Sequence, residues 1–86
     1  MKRDEYLALE ILQTVQAGAD KVGISLSRLI AELPGRHNEW TDEMTYQLWL
    51  LTNGGYLSKS FATETEPASV QLTWSGHDLL EKLSDN

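Results

Sequence analysis

The residues of this chain that could support acid–base or metal chemistry are few and scattered. The two histidines, His37 and His77, lie far apart in the sequence, and there is no cysteine, so the local ligand spacing of a structural zinc site is absent. His77 precedes Asp78, but neighbouring helical residues point about 100° apart and do not form a catalytic dyad; we expect His77 to order the strand-to-helix corner instead. Gly54-Gly55 lacks the Lys-Ser/Thr that follows in a phosphate-binding loop. The sequence therefore predicts a protein that is not an enzyme, with no metal and no cofactor.

Acidic residues dominate the charge of the chain. Seven lysines and arginines stand against thirteen aspartates and glutamates, which gives a formal net charge of -6 and a pI near 4.7. That balance argues against holding DNA or RNA by phosphate neutralisation alone. With 86 residues, 41% of them hydrophobic and 23% charged, the sequence is typical of one folded domain spanning residues 1–86.

We expect a cytoplasmic protein. The longest apolar runs, residues 6–9 and 48–51, are four residues long, whereas a membrane-spanning helix needs about 18 or more. The opening Met1-Lys2-Arg3 could begin a signal peptide, but Asp4 and Glu5 follow and no apolar segment comes after them.

Apolar spacing predicts two helices in the first part of the chain. In residues 2–17, Leu7, Ile11 and Val15 recur every four positions, and Gly18 is the expected stop. Residues 21–25 are either a short strand or an extended lead-in. A second helix, capped by Ser25 or Ser27, extends to Leu33. Its apolar stripe is expected to contain Leu26, Leu29, Ile30 and Leu33.

The second half of the chain predicts a helix, two strands and a last helix. Thr41 is a good cap for a helix that ends near residue 53, with Met44, Leu48 and Leu51 as its buried stripe and Gln47 at the edge. Residues 56–61 and 68–73 read as strands, with a polar turn at 63–67 between them. Thr73 or Ser75 then caps a helix that ends near residue 83.

This order of elements is the plan of a winged helix-turn-helix, an α+β fold with three helices, a two-stranded wing and a C-terminal helix. The third helix would be the recognition element, and the turn at 63–67 would be the wing. Another small α+β domain with the same elements packed differently is the alternative.

The predicted recognition helix is unusual for a DNA-binding element because residues 41–53 contain no lysine or arginine. Residues 41–70 hold four acids and one lysine, a net charge of -3 that would repel phosphate. If the apolar stripe points inward, helical geometry places Tyr46 and Trp49 outward, and both residue types are enriched at interface hot spots. Burial of Trp49 in the core remains open, and Trp40 is expected to pack against the helix start. The predicted partner-binding residues are Asp42, Glu43, Tyr46, Trp49, Asn53, Glu64 and Glu66.

Three stretches carry a resemblance to known proteins. The first is the opening Met1-Lys2-Arg3-Asp4, with Leu7 and Glu10-Ile11-Leu12 after it. The second is the segment from Leu72 to Leu80, and the third is the helix-to-strand junction at residues 46–51 and 55–57. The terminal stretches resemble a family of small winged-helix proteins found mostly in phages, prophages and bacteria, and the junction resembles that of bacterial winged-helix regulators. The resemblance implies a winged-helix fold and a phage setting.

Three functions follow as hypotheses. The first is a small acidic winged-helix protein that binds another protein, as a phage-encoded modulator or inhibitor of host nucleic-acid or defence machinery, in the manner of anti-CRISPR proteins. The second is a dimeric DNA-binding transcription regulator. The third is a homodimer with Trp49 and Tyr46 at its interface. For the second, the contacts would come from the scattered basic residues Lys2, Arg3, Arg28, Arg36 and Lys59.

Overall fold

A computed structural model describes residues 1–33, 39–65 and 67–85. Those residues form an α+β arrangement of four helices and one three-stranded antiparallel sheet, in the predicted order. The elements are α1 (Glu5–Gly18), β1 (Ile24–Ser25), α2 (Leu26–Glu32), α3 (Asp42–Asn53), β2 (Leu57–Ser60), β3 (Ser69–Leu72) and α4 (Trp74–Ser84).

Helix α1 lies at the centre of the fold and contacts α2, α3, α4 and β3. The carboxylate of Asp4 caps it by accepting a hydrogen bond from the Leu7 backbone N–H at 3.1 Å, so the helix begins at Glu5, later than predicted. The predicted apolar face is confirmed, since Ile11, Leu12 and Val15 have no exposed surface.

The sheet has the strand order β1-β3-β2, with both pairs antiparallel. Leu57 pairs with Leu72 in the hairpin of β2 and β3, and Ile24 pairs with Val70 where β1 joins it. The two-stranded arrangement in the prediction was therefore incomplete. A strand of two residues is too short to show an alternating pattern in the sequence. Strand β1 is a strand only because it pairs with β3. The inward side chains of the strands belong to the core, where β3 packs on α1, β2 packs on α3 and β1 lies beside α2.

Helix α2 follows its prediction in part. Ser25 caps it, as expected, by accepting a hydrogen bond from the Arg28 N–H, and Leu29 and Leu33 are buried. Ile30 was predicted to belong to the buried stripe, but 39% of its surface is exposed. The predictions for Arg36 and His37 lie outside the described residues.

The corner between β3 and α4 is fixed by Thr73 and Gly76. The Thr73 hydroxyl accepts a hydrogen bond from the Gly76 N–H at 3.0 Å and donates one to the Gly55 carbonyl at 2.6 Å. Gly76 packs so closely on the Tyr56 carbonyl that a Cβ there would overlap the oxygen. The side chain of His77, which the sequence suggested for this role, is exposed to solvent.

Replacement of Gly76 by alanine should therefore destabilise the fold strongly. The new methyl group meets backbone and cannot be accommodated by a side-chain rotation, so we expect the free energy of unfolding to fall by about 3 kcal/mol or the chain not to fold. Urea denaturation followed by circular dichroism would measure the loss. Ser75→Ala, at an exposed position of the same helical turn, is the control and should change little; equal stability of the two variants would contradict this packing.

Candidate functional site

Helix α3 starts at a well-formed cap. The Thr41 hydroxyl accepts a hydrogen bond from the Met44 N–H at 3.2 Å, as the sequence predicted. Asp42 and Glu43 follow in the first turn, where their negative charges stabilise the positive end of the helix dipole. Part of the acidity of this helix is thus explained by its own stability.

Trp40 packs at the start of α3, which agrees with its predicted structural role. Its indole Nε1 donates a hydrogen bond to the Thr45 hydroxyl at 2.7 Å, and its ring packs against the edge of the core. This contact fixes the direction from which the chain enters the helix.

The inner face of α3 is more polar than predicted. Met44 and Leu51 are buried, as expected, and Leu48 is half-buried. Gln47 was predicted to lie at the edge, but only 2% of its surface is exposed, and the prediction was wrong. A buried carboxamide is expensive unless its donor and acceptor are both paired, which requires partners that the local sequence does not reveal.

Gln47 finds these partners in the N-terminal segment of the chain. Its Nε2 donates to the Lys2 carbonyl at 2.8 Å, and its Oε1 accepts from the Asp4 N–H at 2.9 Å. The carboxamide thus binds the backbone of the segment that leads into α1. This pair of hydrogen bonds, which we term the clasp, fixes the rotation of α3 about its axis relative to α1. The clasp therefore decides which face of α3 reaches solvent.

The outer face of α3 presents a stacked aromatic pair. The ring centroids of Tyr46 and Trp49 are 6.1 Å apart with 22° between their planes, and 57% of Trp49 is exposed. Asn53 donates from Nδ2 to the Trp49 carbonyl at 3.0 Å and is also exposed. The alternative in which Trp49 belongs to the core is therefore wrong. Asp42, one turn before Tyr46, completes a line of side chains (Asp42, Tyr46, Trp49 and Asn53) that we term the α3 stripe.

The other predicted site residues do not lie in the α3 stripe. Glu43 is displaced from Asp42 by about 100° around the helix and lines a surface concavity with Lys2 and Arg3 at the N-terminus. Glu64 is exposed in the loop that joins β2 to β3. Glu66 lies outside the described residues. The structure thus brings together four of the seven predicted residues.

Three strongly exposed aromatic residues were missed by the sequence analysis. Trp74 is 86% exposed, Tyr6 83% and Phe61 78%. Tyr6 and Trp74 lie beside the apolar stripes of their helices, not within them. Their positions relative to the stripes could have predicted that both side chains are exposed. Phe61 follows directly after β2, where alternation no longer assigns a face.

The arginines near the start of the chain and in α2 have neighbours within the domain. Arg28 Nε lies 2.9 Å from the Glu32 carboxylate, and its guanidinium also donates to the Gly18 carbonyl at 3.1 Å. Arg3 lies 3.6 Å from Glu5. Such exposed pairs add little stability, but they offset the positive charge that a phosphate backbone would need.

No set of three or more histidine or acidic side chains that could hold a metal ion occurs within residues 1–33, 39–65 and 67–85. In the same part of the chain, no helix is both long and apolar enough to cross a membrane.

Comparisons with protein families, with curated proteins and with solved structures find no match to this chain.

Replacing Gln47 by leucine should separate the N-terminal segment from α3. The Asp4 N–H and the Lys2 carbonyl would lose their partners, and we expect the free energy of unfolding to fall by about 1–3 kcal/mol. Denaturant unfolding would measure this loss, and hydrogen exchange at the Asp4 amide should become faster. Gln16→Leu, the same change at an exposed position of α1, is the control. An unchanged exchange rate at Asp4 would show that the clasp does not hold in solution.

Proposed function

We propose that this chain is a small winged-helix protein that acts by binding another protein through the α3 stripe. The order of elements and the strand order β1-β3-β2 support the winged-helix assignment. In this assignment α2 and α3 are the helix-turn-helix pair, the β2–β3 hairpin is the wing, and α4 is an addition at the C-terminus.

The exposed Trp49, stacked on Tyr46, is the observation that carries the proposal. A large aromatic side chain that remains in water contributes nothing to the core and is available for burial against a partner. Stacking restricts both rings before binding, which lowers the conformational entropy lost when an interface forms. Trp and Tyr are also the residue types that most often dominate interface energetics.

The charge of the α3 stripe favours a protein partner over DNA. A helix that reads DNA contacts phosphates mostly through lysine and arginine, whereas α3 contains Asp42 and Glu43 and no lysine or arginine. A basic surface would complement it, and proteins that handle nucleic acid have such surfaces. The α3 stripe would then compete for a site that normally holds DNA.

The resemblance to phage and prophage proteins extends this proposal to a biological setting. It makes a host protein the target, and the chain a modulator or inhibitor of host nucleic-acid or defence machinery. The protein would act by occupying a site on its partner, which requires no catalytic group.

Trp49→Ala should weaken partner binding while leaving the fold intact, because more than half of the side chain is exposed. Tagged wild-type protein, Trp49→Ala and Trp74→Ala would be compared by affinity purification from a nuclease-treated bacterial lysate. Trp74→Ala removes an exposed tryptophan outside the α3 stripe and is the matched control. We expect one protein to be retained by the wild type and the control, with a loss of about 30-fold in affinity for Trp49→Ala, as at a hot spot worth 2 kcal/mol.

Asp42→Asn tests the electrostatic part separately. It keeps the size of the side chain and removes its charge, so it should weaken binding to the retained protein and reduce the salt dependence of the affinity. If the affinity and its salt dependence equal those of the wild type, the charge of Asp42 does not contribute to partner binding.

Three results would overturn the proposal. Retention of the partner by Trp49→Ala would show that the α3 stripe is not the interface. Mobility shifts of duplex DNA at low salt, without a stable protein partner, would favour the dimeric transcription regulator. Self-association that rises with concentration in sedimentation and is lost in Trp49→Ala would instead make the α3 stripe a homodimer interface.

A further inference from the structure

The outer face of the sheet is a second surface, separate from the α3 stripe. Leu57, Val70 and Leu72 point towards the helices and are buried. The alternate positions therefore point the other way, and they form two cross-strand pairs in the hairpin. These pairs are Ser58 with Gln71 and Ser60 with Ser69.

These four polar side chains form the floor of a concavity. Lys21 and Val22, from the turn before β1, contribute one part of its wall, and Phe61 contributes another. None of the described residues that line it is acidic. Four other concavities formed by described residues each contain at least one aspartate or glutamate. The chain has a net charge of -6, so a concavity whose described lining includes a lysine and no acid is unusual in this protein.

Phe61 gives this concavity an exposed aromatic ring. The ring is 78% exposed, and Nζ of Lys59 lies 5.5 Å from its centroid. Lys59 pairs with Val70 and therefore leaves β2 on the side of the helices, so its ammonium group covers one face of the ring and a planar group would stack on the other. The cation in the wall of the concavity is Lys21. Stacking and anion binding are thus available at one place.

The turn that carries Lys21 is held firmly against β3. Gln71 Nε2 donates to the Asp20 carbonyl at 2.6 Å, and Gly23 has a φ of 102° and packs directly on the Val70 carbonyl. The nearest acid in sequence, Asp20, accepts a hydrogen bond from the Val22 N–H at 2.8 Å within its own turn. The wall is therefore formed before any ligand arrives.

We propose that this outer-sheet surface binds single-stranded nucleic acid, with a base stacked on Phe61 and a phosphate beside Lys21. Bases stack on aromatic side chains whatever their sequence, and the hydroxyls of Ser58 and Ser60 can bond to base edges or phosphate oxygens. An acidic peptide would use Lys21 but would leave the exposed ring without a partner. A duplex would offer its phosphates but no free base face. The proposal goes beyond protein binding by the α3 stripe and does not depend on it.

The probe is a fluorescein-labelled oligothymidylate, with binding followed by fluorescence anisotropy at low ionic strength. Phe61→Ala should weaken binding by about tenfold or more, since base stacking is worth roughly 1–3 kcal/mol. Trp74→Ala removes an even more exposed aromatic ring elsewhere and should leave the affinity unchanged. Lys21→Gln should reduce the slope of log affinity against log salt by about 0.7, as expected for one phosphate contact on a single strand.

Several outcomes would overturn the proposal. They are no binding at low salt, equal affinity for wild type and Phe61→Ala, or a loss of affinity in Trp74→Ala equal to that in Phe61→Ala. Competition by polyglutamate as effective as by unlabelled oligothymidylate would identify a surface for acidic proteins, and tighter binding of a duplex would identify a DNA-backbone site. Trp49→Ala should bind the oligonucleotide like the wild type, so failure here is distinguishable from failure of the protein-binding proposal.

Discussion

The buried carboxamide of Gln47 is the contact on which the arrangement of the helices depends. Its donor and acceptor are both paired, and both partners are backbone groups of the segment before α1. An unpaired amide at this depth would cost about 1–3 kcal/mol, which favours the rotation of α3 relative to α1 that keeps both bonds. That rotation buries Met44 and Leu51, leaves Trp49 exposed and leaves Tyr46 half-buried beside it. The exposure of Trp49 is therefore a consequence of a hydrogen bond on the opposite side of the same helix.

The sequence predicted the features that arise from local spacing. The buried positions of α1, the caps at Thr41 and Thr73, and the order of the elements all follow from periodicity and from cap chemistry. The four residues of the α3 stripe also followed, because they lie on the side of one helix that is opposite its apolar positions. The remaining features depend on contacts between distant residues. Strand β1 exists through its pairing with β3, Gln47 is buried through its bonds to residues 2–4, and the corner before α4 is fixed by Gly76 against the Tyr56 carbonyl.

The two surfaces of the domain differ in charge and share an aromatic character. The α3 stripe combines Tyr46 and Trp49 with Asp42, whereas the outer sheet combines Phe61 with Lys21 and the nearby Lys59. Both are held by hydrogen bonds from a glutamine side chain to backbone groups, and the sheet surface also by the close packing of Gly23, which makes their shapes independent of a ligand. A net charge calculated for the whole chain hides this separation, because none of the described residues that line the sheet concavity is acidic.

The distribution of the three tryptophans has an optical consequence. Trp49 and Trp74 are largely in water in the folded state, and Trp40 is half-buried with its indole N–H bonded to Thr45. Unfolding therefore changes the surroundings of Trp40 most and those of Trp74 least. A partner that covers the α3 stripe would move Trp49 from water into a contact, and the emission would shift to shorter wavelength. In this chain, tryptophan emission would thus report on folding through Trp40 and on association through Trp49.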